Sequence, residues 1–189
     1  IGLFAARMLA FRRERASILR NATELGRFGS IRLVRSPEVS GPLAFGILDR
    51  VIAVPADFDR LYDRHEQRLA LEHELAHHRS GDLIVNLFAF GLLCLQWFNP
   101  LAWAAHAAFR FDQEAACDAR VLEKTRGEGR SEYGRAIAKA ASGRALLFAS
   151  ALDRRNTLQR RLKSMLSNPT AGRRLAGRMI VIAGIAVAL

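Results

Sequence analysis

Cysteine is nearly missing from this chain: the 189 residues hold two. Cys94 sits in an apolar run and Cys117 in a polar stretch, and neither belongs to a disulfide framework, so stability has to come from an apolar core. Internal repeats and low-complexity segments are also lacking. With 50% hydrophobic residues, a disordered tail is excluded and one domain with a sizeable core is expected. Acid is missing from the C-terminal third, where Asp153 stands alone against 11 Lys+Arg after residue 132. Residues 133–189 therefore carry +10 of the formal +11, whereas residues 1–132, with 18 basic and 17 acidic residues, net +1. No recognised nucleic-acid motif and no interleaved aromatics accompany these arginines, so a direct nucleic-acid partner is not expected.

The basic excess has a different setting. Arg154-Arg155, Arg160-Arg161-Leu162-Lys163, Arg173-Arg174 and Arg178 lead into the apolar run from Met179 to Leu189. At the other end, the mainly apolar Ile1 to Phe11 is followed by Arg12-Arg13-Glu14-Arg15. A cleaved signal peptide is excluded there, because its charges would precede the apolar stretch. Each apolar piece is about 11 residues, short of the roughly 20 that a helix needs to cross a bilayer. The expectation is residues 1–11 as the end of one cut membrane segment, 12–153 as the folded domain, 154–178 as a basic juxtamembrane segment and 179–189 as the start of another span. The positive-inside bias puts the basic flanks in the cytoplasm.

What the sequence does contain is His73-Glu74-Leu75-Ala76-His77. Residues four apart share a helical face, so His73 and His77 can offer ring nitrogens to one metal with Glu74 beside them. A catalytic zinc takes three protein ligands and keeps a position for water. Glu114, in Glu114-Ala115-Ala116-Cys117-Asp118, is the candidate third ligand. Asp118, one turn on, is placed to accept the free ring N–H of a ligand histidine. Cys117 is expected to pack rather than ligate.

Residues Arg12 to Arg27 read as a helix, Ile31 to Arg35 as a short strand, and Leu43 to Leu48 with Val51 to Val54 as further strand material around the turn residues Ser40-Gly41-Pro42. Asp63 with Glu66 starts the motif helix by a capping box, and Ser80-Gly81 ends it. Residues after Ser131 again read as helical. The uncharged run Leu83 to Phe109 cannot be one complete crossing, because that would carry Glu114 about 30 Å from His77. It must turn back at Asn99-Pro100, giving two antiparallel helices. Trp97 and Trp103 flank the bend and would suit a membrane interface.

In order along the chain, His73 through Asp82, then Trp97-Phe98-Asn99-Pro100-Leu101, then Glu114 through Asp118 resemble the membrane-anchored metallopeptidases of the beta-lactam and methicillin resistance regulators. Gly41-Pro42-Leu43-Ala44-Phe45-Gly46, Val51 to Pro55, and Leu158-Gln159-Arg160-Arg161-Leu162-Lys163-Ser164-Met165-Leu166 extend the similarity. The resemblance implies an α+β, mainly helical, gluzincin-like domain with a small sheet and an apolar helical hairpin. It also implies a cytoplasmic zinc endopeptidase of the bacterial inner membrane that cleaves a transcriptional repressor or its own chain. Prenyl-protein or heat-shock type membrane peptidases share the zinc motifs, and Ala-Cys-Asp speaks against them. In a non-catalytic, zinc-stabilised signalling module a structural site would close around its metal, and a carboxylate such as Glu74 beside an open position would have no use.

On this reading one Zn2+ is held by His73, His77 and Glu114, and Glu74 is the general base. His106, Arg110 and Tyr133 have the chemistry to stabilise an oxyanion, although surface or packing roles are expected for all three. His65 and His78 are expected as solvated helix positions. Val51 to Val54, or the neighbouring strand, is expected to hold an extended peptide by its edge.

Overall fold

A computed structural model describes residues 2–125, 129–141 and 158–163. The expected helix over Arg12 to Arg27 has different bounds. Helix α1 (Gly2–Arg20) ends early, and strand β1 (Thr23–Phe28) pairs antiparallel with β2 (Ile31–Ser36). Gly29-Ser30 forms the two-residue turn, with Phe28 opposite Ile31 and Gly29 at φ 60°. That left-handed conformation is open to glycine, and a hairpin satisfies the backbone of Thr23–Phe28 that a continued helix would have satisfied internally.

Strands β3 (Leu43–Phe45) and β4 (Val51–Pro55) complete a four-stranded sheet in the order β1-β2-β4-β3, with β2 and β4 parallel and the other pairs antiparallel. The expected strand to Leu48 stops at Phe45, because Gly46 turns at φ 85°. Every residue of β4 is buried. Its central place between two hydrogen-bonded neighbours leaves no free edge, so β3 and not β4 presents an open edge.

After the short α2 (Phe58–Leu61), α3 (Arg64–Arg79) starts with the expected capping box: the Asp63 side chain accepts from the Glu66 backbone and Glu66 reciprocates. It stops at Ser80, and Gly81 is left-handed at φ 70°. Helix α3 lies against the sheet through Leu71 and Leu75, which pack with Ile31, Ala44 and Ile52. This packing also corrects the expectation for His78. Its ring is buried and its Nε2 donates to the Val51 carbonyl at 3.1 Å, because that position faces the sheet. Burial, reinforced by Arg50, lowers the His78 pKa and keeps the ring neutral.

Helix α4 (Asp82–Leu95) runs out and α5 (Pro100–Lys124) runs back. Asn99 caps α5 by accepting from Leu101 N, with Pro100 in the first turn where its missing N–H costs nothing. The Gln113 side chain reaches the Asp82 carbonyl at 3.4 Å, which closes the antiparallel pair near its base. The far end is not in the core. Phe88, Leu92, Leu95, Trp97, Phe98 and Leu101 are 63–75% exposed. Among the described residues no helix is long and apolar enough to cross a membrane.

Helix α6 (Arg130–Ala141) packs Tyr133 and Ile137 with Leu69, Val121 and Leu122. Leu158 and Leu162 lean on the same cluster from a helical turn over 158–163. That part of the expected juxtamembrane segment is thus seated on the domain. Arg154, Arg155, Arg173, Arg174, Arg178 and the apolar run 179–189 lie outside the described residues.

Candidate active site

Helix α3 places His73 and His77 one turn apart, and α5 returns antiparallel across them. Their Nε2 atoms face each other at 3.2 Å. Glu114 Oε2 is 3.5 Å from His73 Nε2, and Oε1 is 3.8 Å from His77 Nε2. Cys117, a turn after Glu114, also has its sulfur near both rings: the candidate ligand atoms of His73, His77 and Cys117 lie within 4.8 Å of one another. Its Sγ lies 3.3 Å from the His73 carbonyl, to which the thiol donates, and contact with the two imidazoles lowers its pKa although burial would raise it.

The outer nitrogens of the two rings decide what the inner ones can do. His77 Nδ1 donates to Asp82 Oδ2 at 2.7 Å. His73 Nδ1 meets the Tyr133 hydroxyl at 2.8 Å, and that hydroxyl donates to Asp118 Oδ1 at 2.8 Å. Asp118 is engaged by the Arg161 guanidinium at both oxygens, 2.9 and 2.7 Å. Both Asp118 oxygens act as acceptors, so Tyr133 donates to Asp118 and in turn accepts from His73 Nδ1–H. With both Nδ1 atoms protonated, both Nε2 atoms carry lone pairs, aimed at each other and at a carboxylate.

Three such donors cannot sit together uncompensated in a buried place. Either protons or a metal cation must stand among them. The titration behaviour carries the same message. Burial opposes charge on His77, yet hydrogen bonds to Asp82 and Cys117 push its pKa up to about 10. His73 also rises, since contacts with Cys117 and Glu114 outweigh its burial. Glu114 is driven far below the usual carboxylate range, although burial alone would raise it. Two imidazoles with fixed tautomers and one carboxylate form a donor set that suits a divalent metal such as zinc.

Glu74 lies outside this donor set. Its Oε2 accepts from Ala44 N at 2.7 Å, on the side of β3 that is not paired with β4. A carboxylate beside the donor cluster thus meets the open edge of the sheet. Of the remaining sequence candidates, Arg110 Nη2 is 3.6 Å from Glu114 Oε1, His106 sits two turns earlier on α5, and His65 is exposed. Tyr133 does more than the surface or packing role expected of it, because it bridges His73 and Asp118; the direct Nδ1 to Oδ1 separation is 3.4 Å. Two site residues were not assigned from sequence. Asp82 follows the left-handed Gly81 at the start of α4, where an acid suits the positive helix end. Arg161 stands in the basic run 160–163, which reads as a membrane flank and gives no local sign of a place in the site.

A mainly helical α+β domain with an H-E-x-x-H helix under an open strand edge has the makings of a peptidase, and comparison with known proteins gives it a place. Residues 5–165 match the family described as BlaR1 peptidase M56, and the chain belongs to that family. It is 33% identical over 110 residues to the regulatory protein BlaR1 of Bacillus licheniformis, covering 58% of this chain and 18% of that protein. It is 28% identical over 111 residues to the methicillin resistance mecR1 proteins of Staphylococcus aureus and Staphylococcus epidermidis, covering 59% of this chain and 19% of theirs. The matched region is under a fifth of the length of these curated relatives.

Proposed function

We propose that this chain is the zinc-dependent endopeptidase domain of a membrane signal transducer, facing the cytoplasm of a bacterial inner membrane and cleaving a repressor protein or its own chain. The observation that carries the reading is the convergence of His73 Nε2, His77 Nε2 and the Glu114 carboxylate, with Glu74 held apart from them. His73, His77 and Glu114 would hold the ion. When bound, zinc supplies Lewis-acid polarisation of the scissile carbonyl and acidifies water. Glu74 takes the proton of the attacking water and delivers it to the leaving amine. The outer edge of β3, where Glu74 holds the Ala44 N–H, would be the place for backbone pairing with a peptide that displaces this carboxylate. The name of the Bacillus licheniformis relative, a regulatory protein, supports a role in signalling.

Metal analysis of the purified chain tests the ligand set. One zinc per chain is expected in the wild type, with Glu114→Ala losing affinity as badly as His73→Ala or His77→Ala. Cys117→Ser should keep its zinc if the Glu114 carboxylate, and not the thiol, is the third ligand. Loss of zinc in Cys117→Ser with retention in Glu114→Ala would exchange the two assignments.

The exposed tip of the α4–α5 hairpin supports the membrane part of the proposal. Residues 83–109 carry no Asp, Glu, Lys or Arg, and among the described residues the apolar side chains at the turn stay largely exposed. Burying one large apolar side chain contributes roughly 1.5–3 kcal/mol. Replacing Leu95, Phe98 and Leu101 together by Ser should therefore weaken vesicle binding by more than about 100-fold. Vesicle sedimentation that does not distinguish this variant from the wild type would remove the hairpin from the membrane.

A further inference from the structure

The 158–163 turn carries a side chain that the proposed chemistry does not use. Arg161 comes from a part of the sequence that reads as a basic flank, yet its side chain is 12% exposed and inside the site. Its Nε and Nη2 engage the two oxygens of Asp118 at 2.9 and 2.7 Å, and its Nη1 lies 3.1 Å from Glu114 Oε2. The planar guanidinium thus spans one turn of α5. This fork geometry fixes carboxylates as a flexible ammonium cannot. Glu114 Oε2, the oxygen nearest His73 Nε2, is the one Arg161 touches.

Three physical consequences follow. Glu114 and Asp118 are like charges four residues apart on one helix face, an arrangement that repels unless a cation lies between them. Asp118, at 2% exposure, would be left a buried charge without its cation. The Glu114 carboxylate would lose the guanidinium contact at Oε2, the oxygen next to His73, and keep only the longer one from Arg110 at Oε1. Arg161 can do this only while its turn is seated, and the leucines that seat it are apolar and carry no donor atom. Leu158 and Leu162 lie on the Leu69, Val121, Leu122, Tyr133 and Ile137 cluster, and the Arg160 guanidinium stacks 4.2 Å from the centre of the Phe111 ring.

We propose that Arg161 is a positioning residue that holds Glu114 and Asp118 in place for the metal, and that docking of residues 158–163 thereby controls metal affinity. The proposal rests on the zinc site argued above. By reciprocity, metal bound at the site strengthens the docking of the turn, and withdrawal of the turn from the C-terminal side loosens the metal.

The test is zinc affinity of the full chain, measured by competition with a chromophoric chelator, with far-UV circular dichroism and thermal melting recorded alongside. Arg161→Ala should weaken zinc binding by about 10- to 100-fold, the usual range for loss of a partner behind the ligands. Arg161→Lys keeps the charge without the fork and should fall between Ala and wild type. Leu158→Ala/Leu162→Ala removes no group near the metal and should lower affinity in the same direction. Wild-type affinity in Arg161→Ala overturns the proposal, and so does tighter binding, which would make the arginine a competitor of the metal. Should Arg161→Ala not fold, Arg161→Lys and the leucine variant still decide: wild-type affinity in both overturns the proposal. His73→Ala is the reference. If it binds zinc as well as the wild type does, the site itself is wrong, a failure distinct from that of Arg161.

Discussion

Replacing Glu74 by Gln should cut peptide cleavage by about 10²- to 10⁴-fold while zinc content and fold stay as in the wild type. The amide preserves side-chain size and can still accept the Ala44 N–H through its oxygen, so the 2.7 Å tether to β3 has a substitute. What it loses is the capacity to take a proton from water. Because Glu74 is outside the donor set, its replacement separates chemistry from metal binding, whereas a change at His73 or His77 would remove both. The loss should appear in kcat and kcat/KM together, the pattern of an interaction made in the transition state. The assay needs membranes holding the activated protein, with candidate repressors and self-cleavage both followed. Equal rates for activated wild type and Glu74→Gln would end the general-base assignment, whatever the zinc content.

The largest expected effect on stability lies under the site. Ile52 is fully buried in the central strand, packed with Ile31, Ala44 and Leu75 between sheet and motif helix. Ile52→Ala should cost about 2–5 kcal/mol through lost burial and a residual cavity. That is a large part of the roughly 5–15 kcal/mol that holds a domain of ordinary stability. Ile52→Val, which deletes one methyl group, should cost about 0.5–1.5 kcal/mol. Since Ile52 lies opposite Ala44 in the β3–β4 register, loosening it should also lower activity at temperatures where the protein remains folded, by unsettling the strand that tethers Glu74. Urea denaturation of both variants measures the first effect. A cost below about 1 kcal/mol for Ile52→Ala would mean that the space closes and that this packing does not hold the sheet over α3.

Local patterns were legible where one element carries the whole signal. The capping box at Asp63 and Glu66, the stop at Gly81 and the break at Asn99-Pro100 depend on neighbouring residues, and the structure has all three. The strand Thr23–Phe28 was misread as helix because its charged and small residues bury little, so periodicity is weak there and the Gly29-Ser30 turn decides. His78 was misread for a related reason. Its place three to four residues from buried Glu74 and Leu75 puts it on the sheet face of α3, but a polar side chain gives no apolar signal of burial.

By itself the sequence determined the spacing of His73, Glu74 and His77, the turn that sends α5 back toward them, and the presence of Glu114 and Asp118 on one face of a helix. Those features follow from helical periodicity and backbone chemistry, which act over a few residues. Tertiary structure alone decided which strand edge meets Glu74, that Asp82 and Tyr133 fix the two ring tautomers, and that Arg161 reaches Asp118 and Glu114 from 43 positions beyond Asp118. Such contacts join residues with no periodic relation. They exist because apolar burial brings separate elements together, and buried charges then have to find partners among whatever that packing places within reach.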